Sequence, residues 1–446
     1  MSGTAFRVAV VGSGPSGAYV AQELSEQAGL DAVVDVYERL PVPFGLVRYG
    51  VAPDHQRIKS IVGSLAEIFA HPRVRFLGNV RVGTDITFDE LRQRYDAVVV
   101  ACGASADRRL SIPGEDLPGV ASATDFVAWY SGHPDAAVDR FALTAETAVI
   151  IGVGNVALDV ARMLCRTPDE LRRTDVPQHV VDVLAASTVR KILVVGRRGP
   201  AHAKFSSKEL GELRELSDTD VLADPDDLAD DQAAADSAQE SPSTRRMLAT
   251  LRGYAAGTPT GTHRRTVRFA FFRTPVAFVG EDSARGLRVI RRGPGRAEAD
   301  EVLPAQFFVR SVGYRGLALP GLPFQPDTGT VPHAEGRVMD GTGQLAGVYV
   351  AGWIKRGPSG VIGTNKQDAV ATVAAITQDR ARAPKPSRQA FRDPLLLLRE
   401  RGVDVVEWSA WQRIDAAEEI AGRPLGRGRV KLHERGRMLA VAAAQN

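Results

Sequence analysis

Arg7-Val8-Ala9-Val10-Val11-Gly12-Ser13-Gly14-Pro15-Ser16-Gly17 is the stretch on which the reading of this chain turns. The apolar run before Gly12 predicts a buried parallel strand, since a strand covered on both faces needs no polar alternation. A helical segment follows from Ala18 to Gln27, then a second apolar strand, Ala32 to Tyr37, that ends on Glu38. Glu38 stands 21 positions after Gly17. Strand, glycine loop, helix and terminal acid occur in the order of the dinucleotide-binding βαβ fingerprint. Gly12 permits the tight turn, Gly14 leaves the backbone open to a diphosphate, and Gly17 lets helix and strand pack closely. Ser13, Pro15 and Ser16 complete the loop. A diphosphate there meets unpaired N–H groups and the positive end of the helix macrodipole. Glu38 is placed to accept hydrogen bonds from both hydroxyls of an adenosine ribose.

The device recurs. Ala148-Val149-Ile150-Ile151 runs into Gly152-Val153-Gly154-Asn155-Val156-Ala157, with alanine in the packing position, and a helix continues through Ala161 to Leu164. The next strand, Lys191 to Gly196, ends on Arg197-Arg198 instead of an acid. A carboxylate repels a 2′-phosphate, whereas guanidinium groups pair with it through charge-assisted hydrogen bonds. The first site therefore favours an unphosphorylated adenosine, as in FAD, and the second favours NADP(H) over NAD(H). Arg197 lies 43 residues beyond Gly154, about twice the usual interval. An insertion near Thr167–Ser187 has to be accommodated; two ordinary surface arginines are the alternative.

At 446 residues the chain exceeds what one core usually supports, and two domains are expected. With 44% apolar and 24% charged residues the composition is that of a globular protein, and a net charge of +3 does not by itself imply nucleic acid or a membrane. Cys102 and Cys165 are the only cysteines, too far apart for a C-x-x-C redox pair. No apolar run approaches 18 residues, so a cytoplasmic protein without a membrane partner is the expectation. No metal-ligand set has convincing spacing.

Pro41–His55 reads as an apolar loop, Gln56–Ala70 as a helix, Val74–Leu77 and Val80–Val82 as short strands, and Ala97–Ala104 as the strand closing the first nucleotide unit. Asp218–Glu240 carries nine carboxylates and no Lys or Arg, which predicts a solvated loop. Arg245–Arg292 inverts the balance with eleven arginines against Glu281 and Asp282, and Phe269, Phe271 and Phe272 lie among them. That field is either a strand face of solvated arginines or a docking surface for an acidic partner. Val302–Ser311 and Leu345–Trp353 read as strands, Gln367–Gln378 as a helix, with further helices near Asp393–Arg401 and Trp408–Ile420.

With both units, the arginine pair and the run Gly352-Trp353-Ile354-Lys355-Arg356-Gly357-Pro358-Ser359-Gly360-Val361-Ile362-Gly363-Thr364-Asn365-Lys366 in hand, the chain resembles the adrenodoxin reductase family and its bacterial ferredoxin–NADP reductase members. Pro43–His55, Gly154–Arg162 and Val195–Pro200 carry the resemblance most specifically. It implies an α/β fold of two Rossmann-like dinucleotide-binding domains. The FAD domain would be discontinuous, 1–104 with 325–446, and the NADP domain, 105–324, inserted into it. FAD contacts would come from Gly12–Gly17, Glu38, Leu46, Val82, Trp353 and Gly360-Val361-Ile362. NADP contacts would come from Arg108, Val153-Gly154-Asn155-Val156, Arg197, Arg198 and Glu209, with Gly360 at the nicotinamide. His55 and Glu212 would stand near the nicotinamide–flavin contact; a structural loop histidine is the other reading of His55.

The resemblance further implies a monomer that passes electrons from NADPH through FAD to a small acidic iron–sulfur ferredoxin, and onward to acceptors such as a cytochrome P450. Arg214, Arg245 and Arg246 are the candidate docking residues. A disulfide reductase is disfavoured by the cysteines. A flavin monooxygenase, or a nucleotide-responsive protein using its basic stretch on nucleic acid, are the rivals that anaerobic NADPH addition separates.

Overall fold

The computed structural model describes residues 5–229, 241–382 and 392–444. The chain forms two compact units, Met1–Ala106 with Tyr314–Asn446, and Asp107–Gly313. The return to the first unit comes at 314, not at 325, because Leu319 and Leu322 already pack in its core with Ile86, Phe88 and Leu91.

The first unit opens with four parallel strands, β1 (Phe6–Val11), β2 (Ala32–Tyr37), β3 (Val74–Leu77) and β4 (Ala97–Val100), side by side in the order β4-β1-β2-β3. Val8, Val10, Val34, Val36 and Val99 enter one apolar cluster and Ala9, Val11, Tyr37, Val98 and Val100 another. Successive side chains point to opposite faces of a strand, so both faces are covered and the apolar run is explained. Helix α1 (Pro15–Glu26) starts directly after the glycine loop with proline at its first position, where no N–H is needed. Val80–Val82 does not form a strand. The Val80 N–H is taken by the Glu38 carbonyl, and Val82 makes only a single bridge to Ile86.

The second unit contributes β5 (Val120–Ser122), β6 (Thr147–Ile151), α2 (Asn155–Cys165), β7 (Lys191–Val195), β8 (Thr219–Ala223) and β9 (Arg265–Ala270). An antiparallel meander follows, β10 (Arg273–Val279), β11 (Gly286–Arg291) and β12 (Ala299–Pro304), and then β13 (Phe307–Arg310). The parallel sheet runs β5-β13-β6-β7-β9-β8. The insertion before β7 holds the helices Pro168–Leu171 and Gln178–Ala186, anchored by buried Val180, Val181 and Leu184. The single strand expected over Val302–Ser311 is two. The Ala305 N–H bonds the Arg285 carbonyl and the Gln306 N–H the Thr147 carbonyl, which hands the chain from meander to parallel sheet.

The charge runs are corrected most. The acidic stretch supplies β8 and a helical turn at 225–229. Asp227 is fully buried and accepts hydrogen bonds from the Phe271 N–H at 2.7 Å, Arg273 at 2.6 Å and Arg291 at 3.0 Å. Residues 230–240, the rest of that stretch, lie outside the described residues. On the basic side Arg265 and Arg273 are buried, Arg288 pairs with Asp300 and Arg292 with Glu298. Phe269, Phe271 and Phe272 are core residues. Much of the arginine field therefore serves this unit's own architecture.

Back in the first unit, β14 (His333–Ala334), β15 (Arg337–Asp340) and β16 (Gly343–Val350) extend the sheet, β16 parallel to β4 and the other two antiparallel at the edge. Helix α3 (Ile362–Arg382), longer than the periodicity predicts, packs along α1. Helix α4 (Trp408–Gly422) brings Trp411 edge-on to Phe44. Among the described residues no helix is long and apolar enough to cross a membrane.

Candidate nucleotide-binding sites

Gly12 sits at the end of β1 with φ +111°, and a Cβ there would stand 2.5 Å from the Ala101 carbonyl oxygen at the end of β4. Gly17 lies inside α1, where a Cβ would come within 1.9 Å of the Gly12 carbonyl oxygen. Gly14 is the N-cap, and its Cα lies 3.0 Å from where a Cβ on Gly45 would stand. The Pro41–His55 segment is thereby pressed onto the glycine loop, and the Phe44 N–H bonds the Ser13 carbonyl at 3.2 Å. Within that segment Leu46 begins a short helix, Leu46–Tyr49, braced from below by Arg48 in a buried 2.5 Å ion pair with Glu418 of α4. The expected irregular loop thus contains a helical turn.

Glu38 closes the pattern at the tip of β2. One carboxylate oxygen accepts from the Ser13 hydroxyl at 2.7 Å and from the Ser13 N–H at 3.2 Å, and the other from the Leu40 N–H at 3.0 Å. The carboxylate is oriented beside the glycine loop with lone pairs left for further donors. Val82 is buried in the same unit, Trp353 starts the helix Trp353–Arg356 and donates its indole N–H to the Ser359 carbonyl, and Gly360 has φ +83°. Val361 is 76% exposed and Ile362 is the first residue of α3. His55 is half-buried at the N-cap of the helix Gln56–Lys59, its N–H bonded to the Ala52 carbonyl.

The second unit repeats the turn. Gly152 has φ +133°, and a Cβ on it would lie 2.0 Å from the Ser311 carbonyl oxygen. Gly154 caps α2, and a Cβ on it would project into open space, the room an approaching phosphate requires. Asn155 accepts a hydrogen bond from the Ser206 N–H at 2.9 Å, and the Val153 carbonyl accepts from the Lys204 N–H at 2.7 Å, so the segment after β7 is laced to the loop. Arg197 and Arg198 are exposed at the end of β7, and neither guanidinium has an ion-pair partner among the described residues. Glu209 and Glu212 lie on the helix Ser207–Glu212. Arg108 is exposed, its N–H bonded to the Gly313 carbonyl. His55 belongs to the first unit and Glu212 to the second.

Cys102 and Cys165 also fall in different units, and neither is in a disulfide. Among the described residues no cluster of His, Cys, Asp and Glu could hold a metal ion. The geometry fits two nucleotides of different character. The first cradle ends in a held carboxylate, the second in two exposed cations.

Known proteins give the same answer. The profile of the family described as "Pyridine nucleotide-disulphide oxidoreductase" matches residues 6–193. The NADPH-ferredoxin reductase FprA of Mycobacterium tuberculosis is 42% identical, with 98% of this chain and 99% of that protein covered. The chain belongs to the NADPH–ferredoxin and adrenodoxin reductase family. Human mitochondrial NADPH:adrenodoxin oxidoreductase is 40% identical over 98% of this chain and 91% of its own. The solved structure of Mycobacterium tuberculosis FprA in complex with NADPH superimposes with a TM-score of 0.91 at 43% identity, covering 99% of this chain and all of that one.

Residues that the sequence reading left without a role cluster around α3. Arg356, Asn365 and Asp368 join Ser16 in one hydrogen-bonded group. Asn365 lay in the quoted Gly352–Lys366 run, but nothing local marks it as a partner of a residue near the N-terminus.

Proposed function

We propose that this chain is an FAD-dependent NADPH:ferredoxin oxidoreductase, EC 1.18.1 in type. The observation that carries the proposal is the opposite charge at two equivalent strand ends, Glu38 after β2 and Arg197-Arg198 after β7. Bound FAD would supply a hydride acceptor for NADPH and the release of two electrons one at a time. The chain's own work is to bind, orient and shield. In this reading the Gly12–Gly17 loop holds the FAD diphosphate and Glu38 its adenosine ribose. Leu46, Val82, Trp353 and Gly360-Val361-Ile362 line the remainder of that site. Val153-Gly154-Asn155-Val156 receives the NADP diphosphate, Arg197 and Arg198 the 2′-phosphate, and Arg108 and Glu209 complete the site. His55 and Glu212 position the reacting ends.

The partner is an acidic iron–sulfur ferredoxin, with a cytochrome P450-type acceptor beyond it, and the enzyme acts as a cytoplasmic monomer in which the unit Met1–Ala106 with Tyr314–Asn446 takes FAD and the unit Asp107–Gly313 takes NADP(H). Arg245 and Arg246 are exposed on the helix Pro242–Ala255, without an ion-pair partner among the described residues, and exposed Arg214 lies 5.1 Å from the ring centroid of Tyr254 of that helix. These arginines supply a field for an acidic partner. The purified protein should be yellow, and one equivalent of NADPH should bleach it without oxygen. Cytochrome c reduction should then require added ferredoxin. A colourless protein that takes up no flavin, or bleaching by NADPH with no electron delivery to any ferredoxin in a panel, would refute the assignment.

A further inference from the structure

Asn365 is the fourth residue of α3 and is only 8% exposed. Arg356 Nη2 stands 2.8 Å from its side-chain oxygen and the Ser16 hydroxyl 2.9 Å from the same atom. A guanidinium has donors only, so the atom facing Arg356 has to be the oxygen, whichever way an amide could otherwise turn. Arg356 is itself fixed by Asp368 at 3.0 Å, and Asp368 also holds Lys355 at 2.7 Å and the Gly352 N–H at 2.5 Å. Both lone pairs of the Asn365 oxygen are used. Its amide nitrogen, with two donors, has no partner among the described residues.

The location gives that donor a purpose. Ser16 is the second residue of α1, whose first turn forms the diphosphate cradle, and its hydroxyl is committed to Asn365. Gly352 crosses so closely that a Cβ on it would lie 2.1 Å from the Ser16 hydroxyl oxygen. The Asn365 amide is therefore held against the mouth of the first cradle by residues from both ends of the chain. The side chain is 8% exposed, yet its nitrogen is not among the enclosed atoms left without a partner, so the donor reaches the open side of the cradle, where an oxygen acceptor on a ligand can take it up.

We infer that Asn365 is a further binding residue of the first nucleotide site, donating its side-chain amide to an oxygen of the FAD diphosphate or of the ribityl chain beside it. Ser16 and Arg356 are positioning residues that hold the amide in the donating sense. The inference rests on the FAD reading and extends it to a residue outside the glycine loop.

Asn365→Asp tests it. The aspartate keeps the oxygen that Ser16 and Arg356 bind but replaces the donor with a second acceptor, so a purely structural brace survives while donation is lost. FAD dissociation from the holoenzyme, followed by flavin fluorescence, should speed up at least tenfold, with the far-UV circular dichroism of the protein unchanged. Asn365→Ser, neutral and too short to reach, should raise the FAD dissociation constant about fivefold, and it serves if the aspartate variant fails to fold. Arg356→Lys, which frees the amide to turn, should raise it about threefold. FAD release at the wild-type rate from either Asn365 variant overturns the inference. A wild-type protein that binds no FAD would instead bring down the reading beneath it.

Discussion

The two nucleotide units solve the same steric problem at their first glycine and differ at their third. Gly12 and Gly152 both have positive φ, and in each a Cβ would strike a carbonyl oxygen at the end of the neighbouring strand, Ala101 in one and Ser311 in the other. At the third position the first unit holds Gly17, where a Cβ would approach the Gly12 oxygen to 1.9 Å, while the second holds a fully buried Ala157. The strand ends diverge further. Glu38 is already gripped by Ser13 and Leu40, whereas Arg197 and Arg198 stand exposed and unpaired among the described residues. A prearranged acceptor suits a cofactor that stays, and free cations suit a substrate that comes and goes. The difference in charge thus accompanies a difference in how much of the site is built before the ligand arrives.

The third glycine offers the strongest way to break this comparison. Gly17→Ala should destabilise the first unit by about 3 kcal/mol through forced displacement of the loop, and the protein should purify with little bound flavin. The mirror change, Ala157→Gly, should cost only about 1 kcal/mol from backbone entropy and lost helix propensity. Thermal melts and the ratio of flavin to protein absorbance measure both. A flavin-replete Gly17→Ala protein would show that the close helix–strand approach is not required.

Next in size is the arginine pair. Replacing Arg197 and Arg198 with glutamine removes two charge-assisted contacts, and the preference for NADPH over NADH in kcat/KM should fall about 100-fold. Turnover with NADH and the flavin content should stay as in the parent protein, since the first unit is untouched. An unaltered nucleotide preference would transfer the phosphate to other residues.

Legibility followed sequence distance. The placement of the two glycine loops, Glu38 and the arginine pair was readable because its signals are local: a strand, a turn, a helix start and the charge at the next strand end. The charge runs were misread because their partners are remote. Asp227 meets Arg273 and Arg291 from 46 and 64 residues away, and a run of carboxylates carries no mark that one of them will be buried. Asn365 meets Ser16 across 349 residues. Val302–Ser311 looked continuous because the handover at Ala305 and Gln306 is made by backbone groups, which leave no trace in side-chain pattern. Val80–Val82 alternates like a strand but has the Glu38 carbonyl as its first partner in place of a neighbouring strand.

Acid should separate the units by a smaller margin. In the first, Glu90 caps its own helix through the Thr87 N–H at 2.9 Å and pairs with Arg401 at 2.5 Å. The hydrogen bond from Arg401 holds its carboxyl down to about 2, against an ordinary 4.5. A carboxyl lowered on folding stabilises the fold above its unfolded value, and that contribution is lost as pH falls from about 4.5 toward 2. In the second unit burial pushes the Asp227 carboxyl up despite the arginines on it, so protonation of Asp227 does not penalise that unit on acidification. Because Glu90 pairs at the surface with an Arg401 side chain that is 37% exposed, its share should be under about 1 kcal/mol. Glu90→Gln should therefore lower the urea midpoint of flavin release slightly at pH 7 and leave it unchanged at pH 2, which flattens the acid limb. An acid limb of wild-type steepness in that variant would place the first unit's acid sensitivity on other carboxylates.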